Sequence, residues 1–396
     1  MRSPLASAAT LPNRLRMLGL VVATVLGIVT STTVAEPVTK LKGDETLVFY
    51  PAFLVWDDAK ARWAGEIHGN IHEPADGTTA ELRLDALNAL LEVSGSLSPE
   101  EERHLRDRAR EFLVDHERGK TIVVRVGSQL FHSTSSRPNG DFSIEVALDD
   151  VKIGDAPVFE AVIREDDPRR FGGMLRVIAP EGISVISDID DTVKDSNVTD
   201  RSELLANTFL RPYRAIEGMA ERYEAWNGQG VAIHFLTGSP WQLYRALWSF
   251  LEDCGFPGVE IQMRELRVTG SSGIQYFRSP EGYKTERLRE MLARFPERKF
   301  ILVGDSGEKD PVVYAAIAQE FPDQVQGIFI RAVSEEHADR EFYRDVFTGL
   351  DDAEWLIFRG ADALPRDLPA WVASRREKQN RGEVIEPSTP ASPRIP

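Results

Sequence analysis

Hydrophobic and polar positions divide the chain into two parts with different periods. Before residue 180 apolar residues mostly alternate with polar ones, as in Phe142–Leu148, which is typical of half-buried strands. From Gly182 onward, short continuous apolar runs alternate with segments of helical spacing. That second pattern predicts a parallel sheet with helical crossovers. We therefore predict a β-rich domain over residues 44–180 and an α/β domain over residues 181–375.

The first part is expected to form a sandwich-like β domain with a helical insertion. In the second of two predicted helices, Ser98, Pro99 and Glu101 give an N-cap, a first-turn proline and a capping box. These helices cover Thr79–Leu91 and Ser98–Asp115. The predicted strands are Glu45–Asp57, Trp63–His72, Thr121–Leu130, Phe142–Leu148, Phe159–Ile163 and Gly173–Ile178.

The second part is expected to be a Rossmann-like parallel sheet with helices on both faces and a small cap or none. Leu204–Asn227 reads as helical, broken at Pro212, and Val268–Phe277 as a loop or hairpin. Residues 376–396 are charged and proline-rich, and we expect a disordered tail there. The predicted strands begin at Gly182, Val231, Gly258, Phe300, Val325 and Trp355.

The amino terminus has the layout of an export signal. Arg2, Arg14 and Arg16 precede an uncharged run from Met17 to Ala35 that ends in small residues. We expect residues 1–35 to be a signal peptide or, alternatively, a membrane anchor. Either reading predicts an exported protein, periplasmic or secreted.

Composition limits the classes of partner. The 396 residues carry a formal net charge of −16, which argues against nucleic acid and against broad adhesion to anionic membranes. Cys254 is the only cysteine, so no disulfide can form within the chain. An anionic substrate held locally by a metal ion and a few basic groups remains compatible with this charge.

The first strand of the α/β part stops at a group of acids. Asp188, Asp190 and Asp191 follow it directly, and alternation would point Asp188 and Asp190 to the same side. Two such carboxylates favour Mg²⁺. An Asp-rich turn or the metal-binding Asp-x-Asp of a glycosyltransferase are alternatives. An EF-hand loop is disfavoured, because Val193 stands where glycine is required.

Further polar groups follow other strands of the same predicted sheet. They are Thr237, Lys284, Asp305 and Asp310. Because the carboxyl ends of parallel strands line one crevice, these groups and the first acids are expected to converge. Asp188, Asp190, Asp305 and Asp310 are the candidate metal ligands, with Asp310 alternatively orienting Lys284 or a water molecule.

This set of groups suits phosphoryl transfer. Asp188 is the candidate nucleophile, and Asp190 the acid that protonates the leaving group and then activates water. Lys284 and the Thr237 hydroxyl are expected to hold phosphate oxygens. We expect Asp191 to order the turn, and Lys194 either to contact phosphate or to be solvated.

The motifs resemble those of the haloacid dehalogenase superfamily of phosphohydrolases. Asp-x-Asp-x-Thr stands at 188–192, a strand ends in Thr237, Lys284 follows, and Gly-Asp-x-x-x-x-Asp stands at 304–310. Each motif is weak alone, but all four in this order form a strong signal.

A narrower resemblance is to the catalytic domain of the actin-patch-protein type of phosphatidate phosphatase. It rests on the segments at 187–194, 238–244, 255–257 and 304–310, and covers about Ala179–Arg359. The resemblance implies Mg²⁺-dependent release of phosphate from phosphatidate, giving diacylglycerol. Little chain is left for a cap between Asp191 and Val231, so we expect an open site that accepts a bulky or membrane-presented ester. Transient membrane contact is then expected, with Trp241, Trp248 and Val268–Phe277 as candidate apolar contacts.

Two other functions remain open at this point. A phosphatase of the same mechanism could act on a soluble or protein-linked phosphate. Alternatively, the chain could be a non-catalytic binding protein of the cell envelope. The pairing of Asp190 with Asp188 argues against the second reading, since a protein without catalysis has no chemical need for both acids.

Overall fold

Two sheets organise the part of the chain that the computed structural model describes. That part comprises residues 37–75, 77, 97–264, 266–269, 273–276, 280–352 and 354–381. The predicted export segment and the helix predicted at Thr79–Leu91 lie outside these residues. From Val38 onward the described residues belong to one compact unit.

Nine strands before residue 180 are hydrogen-bonded into one mixed sheet. They are β1 (Thr46–Phe49), β2 (Ala52–Asp57), β3 (Arg62–Pro74), β4 (Val114–His116), β5 (Val123–Val126), β6 (Gln129–His132), β7 (Asp141–Leu148), β8 (Val158–Ala161) and β9 (Gly172–Val177). Strand β3 pairs with β1, β2, β4 and β7. A sandwich with two separate sheets was predicted. The strands instead form one connected sheet, because β9 pairs with both β2 and β8.

The mixed sheet encloses its own hydrophobic core. Buried residues from β1, β3, β5, β7, β8 and β9 form one cluster. At its centre the Phe49 ring meets the Phe142 and Phe159 rings edge-on, with centroids 5.6 and 5.1 Å apart. Edge-to-face packing of this kind stabilises aromatic pairs beyond the area they bury.

Helix α1 (Pro99–Ala109) begins as its sequence predicts. The Ser98 hydroxyl accepts from the Glu101 amide, and the Glu101 carboxylate accepts from the Ser98 amide. Two amide groups that lack partners within the helix are thereby satisfied. The capping box is confirmed.

The second sheet has six strands, and every neighbouring pair runs parallel. They are β10 (Gly182–Ser187), β11 (Ala232–Pro240), β12 (Gly258–Arg264), β15 (Arg298–Asp305), β16 (Val325–Arg331) and β17 (Trp355–Phe358). The order across the sheet is β12, β11, β10, β15, β16, β17. Strand β10 is therefore central, as the Rossmann-like prediction requires, and the predicted fold class is confirmed.

Helices cover both faces of this sheet. They are α2 (Arg201–Phe209), α3 (Met219–Asn227), α4 (Tyr244–Asp253), α5 (Pro280–Arg294), α6 (Asp310–Glu320) and α7 (Leu368–Arg381). Val185 and Ile186, adjacent on β10, belong to different hydrophobic clusters on opposite faces. Between β10 and β11 lie α2 and α3, in agreement with a small cap or none.

Two segments of the α/β domain refine or correct the sequence prediction. Residues Leu266–Thr269 (β13) and Gly273–Tyr276 (β14) pair as a hairpin, which decides between the alternatives for this segment. Helix α7 runs to Arg381, so the prediction of a disordered tail from residue 376 was wrong for its first six residues. The reason is that residues 376–381 contain good helix formers and no glycine or proline, which a simple loss of apolar period does not reveal.

The two sheets pack directly against each other. The Tyr244 hydroxyl of α4 donates to the Phe49 carbonyl of β1 at 3.2 Å. Phe53 of β2 stacks at a tilt on Phe295, with ring centroids 5.3 Å apart. None of the described helices combines the length and apolar content needed to cross a bilayer.

A buried arginine fixes the start of the central strand. Arg298 is 1% exposed, and its guanidinium donates to the carbonyls of Ala179, Glu181 and Ile183 and to the Ser184 hydroxyl. Burial lowers the pKa of Arg298 to about 10, so it stays charged at neutral pH. Since β10 carries the acids at its other end, this contact set also supports the position of the site.

We predict that Arg298→Met lowers the free energy of unfolding by about 3 kcal/mol, because buried carbonyls lose a charged donor. Thermal unfolding followed by circular dichroism measures the effect. Arg289→Met is the matched control, since Arg289 is half exposed and pairs only with Glu320. The control should change stability by less than about 1 kcal/mol. Equal losses in both variants would contradict the anchoring role.

Candidate active site

The acids after β10 lie at the carboxyl edge of the parallel sheet. The Asp188 amide donates to the Val303 carbonyl at 2.8 Å, which extends the pairing of β10 with β15 beyond Ser187. The chain then turns, and Asp191 has a φ of 53°. Asp188 is 1% exposed.

Asp191 orders this turn. Its carboxylate accepts from the amides of Ser196, Asn197 and Val198 at 2.9, 2.8 and 2.6 Å. Arg331, at the end of β16, donates to the Asp191 carbonyl at 2.7 Å. These contacts agree with the structural interpretation of Asp191, whereas Arg331 gave no signal in the sequence.

Three buried carboxylates meet beside this turn. One oxygen from each of Asp188, Asp305 and Asp310 lies within 4.8 Å of the other two. Asp305 ends β15 and Asp310 begins α6, so three elements contribute to the group. Gly304 permits the approach, because a side chain there would meet the Asp310 carboxylate at 2.4 Å.

Lys284 lies among these acids. Its Nζ atom is 2.8 Å from Asp188 Oδ1 and 2.5 Å from Asp310 Oδ1. A further acid, Glu308, lies 2.9 Å from the same nitrogen. Glu308 was not among the predicted residues, although it stands within the quoted motif at 304–310.

Charge is unbalanced in this buried group. Burial raises the pKa of Asp188 well above its usual value, and Asp310, Glu308 and Asp305 raise it further, against the opposite effect of Lys284. Burial and Asp310 likewise raise the pKa of Asp305. Lys284 has its pKa raised well above normal, because the acids outweigh its burial. One ammonium therefore does not neutralise the group, and an additional cation would.

The available oxygens suit a hard divalent cation. Asp305 Oδ1 accepts from the amides of Gly307 and Glu308 at 2.6 and 3.0 Å, while its Oδ2 is buried with no hydrogen-bond partner among the described residues. Asp188 Oδ1 touches Lys284 only as an ion pair, outside hydrogen-bond geometry. Carboxylate oxygens with free lone pairs are the ligands that Mg²⁺ prefers. Asp188 and Asp305, with Asp310 beside them, are thus the residues that could hold it.

The Asp190 carboxylate lies in different surroundings. Its Oδ1 accepts from Lys194 and Ser196 at 3.0 and 2.6 Å, and its Oδ2 from Thr237 and Ser239 at 3.3 and 3.0 Å. Among the described residues, the three-acid group does not include it. These contacts leave its carboxylate oxygens engaged, so they favour the predicted acid–base role over the predicted metal-binding role.

The same contacts control the ionisation of Asp190. Burial raises its pKa, but Lys194 and the hydrogen bonds from Ser196 and Ser239 outweigh burial and hold the pKa at about 2. Thr237 accepts from the Ser239 amide at 2.9 Å while it donates to Asp190. The hydroxyl predicted to hold phosphate therefore also helps to hold this acid.

Lys194 is buried against the Asp190 carboxylate. It is 1% exposed, with Nζ 4.9 Å from the Tyr213 ring centroid and 3.0 Å from Asp190. The expectation of a solvated lysine was wrong, and contact with phosphate stays a prediction. Sequence spacing does not show that the chain curls back at Asp191 and brings residue 194 against residue 190.

The site residues lie in a segment that is similar to a known protein family. Residues 183–332 match the sequence model of the family described as the catalytic domain of phosphatidate phosphatase APP1. The narrower resemblance stated from the motifs is therefore confirmed for the APP1-type segment, which contains every site residue named above.

Two curated yeast proteins match this chain. Phosphatidate phosphatase APP1 of Saccharomyces cerevisiae is 33% identical over 166 residues, which are 41% of this chain and 28% of that protein. An uncharacterized protein of Schizosaccharomyces pombe is 32% identical over 199 residues, 49% of this chain and 31% of that one. The chain thus spans less than a third of the length of either relative.

Solved structures give a looser likeness. A phosphoserine phosphatase structure titled as a phospho-aspartyl intermediate analogue has a TM-score of 0.31 and 11% identity, covering 51% of this chain and 99% of that one. An apo phosphoserine phosphatase gives 0.29 and 12%, with 50% and 97% covered. Superpositions at this level do not define a fold, which here follows from the strand order.

We predict that Asp305→Asn weakens Mg²⁺ binding, measured by isothermal titration calorimetry, about tenfold or more, because it removes a charged candidate ligand. The matched control is Glu117→Gln. Glu45, Glu73 and Glu117 form a second acidic group, but the Lys42 and Lys120 ammonium groups balance two of its three charges, at 2.8 Å from Glu117 and 2.6 Å from Glu45. Equal Mg²⁺ affinity of the parent protein and Asp305→Asn would contradict the assignment.

Proposed function

We propose that this chain is a Mg²⁺-dependent phosphatase that hydrolyses a phosphate monoester through an aspartyl-phosphate intermediate. The observation that supports it most is the position of Asp188. This carboxylate belongs to the three-acid group and also lies 2.8 Å from the Lys284 ammonium. A nucleophilic carboxylate needs positive charge beside it, because its target is an anion. Here that charge would come from a metal ion bound by the three acids and from the Lys284 ammonium.

Catalysis would proceed in two displacements. An Asp188 oxygen attacks phosphorus, the bond between phosphorus and the leaving alkoxide breaks, and Asp190 supplies a proton to that alkoxide. Asp190 then takes a proton from water as the water oxygen attacks the phosphorylated Asp188, which releases inorganic phosphate. Lys284 offsets the charge of the transferring group, and bound Mg²⁺ would neutralise the acids and the phosphate oxygens.

The environment of Asp190 bears on its two roles. An ionised carboxylate with a pKa of about 2 is suited to the second step, in which it acts as a base. For the first step Asp190 has to carry a proton when the ester binds, and the negative charge of a phosphate beside it favours the protonated carboxyl.

Phosphatidate is the substrate that we propose, with diacylglycerol as the other product. The proposal is supported by the printed name of the budding-yeast relative and by the family match over residues 183–332. Transient contact with a membrane follows from such a substrate. A soluble or protein-linked phosphate ester is the second candidate, because the site residues act on the phosphate and not on the rest of the ester.

We also propose that the protein is exported, with residues 1–35 as its signal peptide or anchor. The support is the arginine-flanked apolar run described above. Export would place the phosphatase outside the cytoplasm, where its lipid substrate would be presented by an envelope or foreign membrane.

We predict that Asp188→Asn abolishes Mg²⁺-dependent phosphate release from dispersed phosphatidate. Asp190→Asn should lower kcat by about 10²–10⁴-fold, the usual contribution of a general acid–base group. Asp195→Asn is the matched control, an exposed aspartate of the same loop, and should keep parental activity. Activity retained by Asp188→Asn would contradict the nucleophilic mechanism. Inactivity of the parent protein on every ester would instead favour a non-catalytic binding protein.

We predict a higher kcat/KM for phosphatidate in detergent micelles than for p-nitrophenyl phosphate or phosphoserine, because the family match points to a lipid ester. Release of inorganic phosphate measures all three reactions in one assay. A wide preference for either soluble ester would support the second candidate and contradict the lipid assignment.

A further inference from the structure

A cavity of about 950 Å³ lies between the mixed sheet and the parallel sheet. Strands β2, β3 and β7 form one wall, and β12, α5 and the start of α4 form the other. Its volume is at the upper end of the range for small-molecule sites. A phosphate group alone would occupy a small part of it.

The cavity adjoins the candidate active site along the chain. Trp241 lines it and follows Ser239, which holds Asp190, by two residues. Tyr283 lines it and immediately precedes Lys284. Arg264 lines it at the carboxyl end of β12, paired in register with Pro240. The elements that deliver groups to the phosphate site therefore also form this wall.

The lining combines apolar side chains with an equal number of positive and negative ones. Phe53 and Phe142 of the mixed sheet face Tyr244, Ile261 and Met263 of the parallel-sheet side. The charged lining residues comprise four arginines and four acids, namely Arg137, Arg264, Arg287, Arg294, Glu66, Asp141, Glu260 and Glu286. Arg294 and Glu260 pair at 3.3 Å. A cavity with no net charge is suited to an uncharged ligand rather than to a second phosphate.

The Tyr283 hydroxyl is a buried polar group in the wall. Tyr283 is 7% exposed, and its hydroxyl oxygen is buried without a hydrogen bond among the described residues. An unsatisfied buried hydroxyl costs about 1–3 kcal/mol. An ester or glycerol oxygen placed in the cavity would satisfy it.

We infer that this cavity binds the uncharged diacylglycerol portion of the substrate, while the phosphate lies among Lys284, Thr237 and the acids. The inference rests on the proposed function. It adds that the mixed sheet provides one of the two walls that bind the ester. The size, the apolar part of the lining, the charge balance and the Tyr283 hydroxyl all fit a glycerol ester with acyl chains.

Position 64 allows the cavity to be filled without disturbing the core of the mixed sheet. Ala64, Glu66 and His68 alternate along β3 on the cavity side, whereas Trp63 and Ile67 are buried in the opposite core. Gly65 is unsuitable, because a Cβ there would lie 2.1 Å from the Phe53 carbonyl oxygen. Ala64→Trp is therefore the filling variant, and Val158→Trp, at a strand residue that is 64% exposed, is the matched control.

The first measurement compares dioctanoyl phosphatidate with glycerol 3-phosphate, which differ only in the two acyl esters. In Ala64→Trp the ratio of kcat/KM for the two substrates should fall at least about tenfold, and in Val158→Trp it should not change. Tyr283→Phe removes one oxygen without changing shape, and should lower the same ratio about threefold to tenfold. A ratio unchanged in both cavity variants would overturn the inference.

The second measurement does not depend on turnover. Dioctanoylglycerol, which lacks the phosphate, should bind Asp188→Asn without Mg²⁺ in a calorimetric titration, and Ala64→Trp should weaken this binding. Hydrolysis by the parent protein with no binding of dioctanoylglycerol would contradict the inference alone. Binding of dioctanoylglycerol without hydrolysis of either ester would contradict the proposed function and leave the neutral-ligand site supported.

Discussion

The attraction between the Lys284 ammonium and a buried group of carboxylates is the interaction on which the site depends. Its nitrogen lies 2.8 Å from Asp188 and 2.5 Å from Asp310, with Glu308 at 2.9 Å. Burying acids together costs free energy unless they are paired, and one lysine pairs them only in part. The excess negative charge makes the group unfavourable by itself. It also makes the group suitable for binding a cation, and the cation in turn allows an anionic substrate to bind.

The fold maintains this group by backbone contacts at the ends of parallel strands. Strand β10 is held at its start by Arg298, and the turn after it is held by Asp191 and Arg331. Strand β15 ends in Asp305, whose Oδ1 is fixed by two amides of the following loop. Because neither strand can slide without breaking these bonds, the two acids stay within reach of one ion. The surrounding core therefore contributes to function mainly by preventing the acids from moving apart.

Sequence alone predicted the sheet and the residues at its carboxyl edge, because buried strands and strand-terminal acids produce strong local signals. It did not predict that Lys194, Arg298 and Arg331 make structural contacts inside the fold. A single basic residue gives the same sequence signal whether it is solvated or buried. Nor did it separate Asp190 from the other acids, as alternation assumes an extended chain, whereas residues 190–194 turn back. The helical end of α7 was missed because charged helix formers resemble a disordered tail in composition. What the sequence lacks in each case is the partner, which only the folded chain brings into contact.

The mixed sheet is more than a neighbouring domain in this arrangement. It packs against the parallel-sheet domain through Tyr244 and Phe53, and the cavity between them is lined by Trp241 and Tyr283, which are close in sequence to Ser239 and Lys284. The central claim remains that Asp188 and Asp305 share one cation opposite Lys284. A crystal structure with Mg²⁺ and beryllium trifluoride tests it most directly. We expect Mg²⁺ within about 2.1 Å of oxygens from both acids and the beryllium bound to Asp188. A magnesium ion bound elsewhere, or beryllium on a different residue, would contradict it.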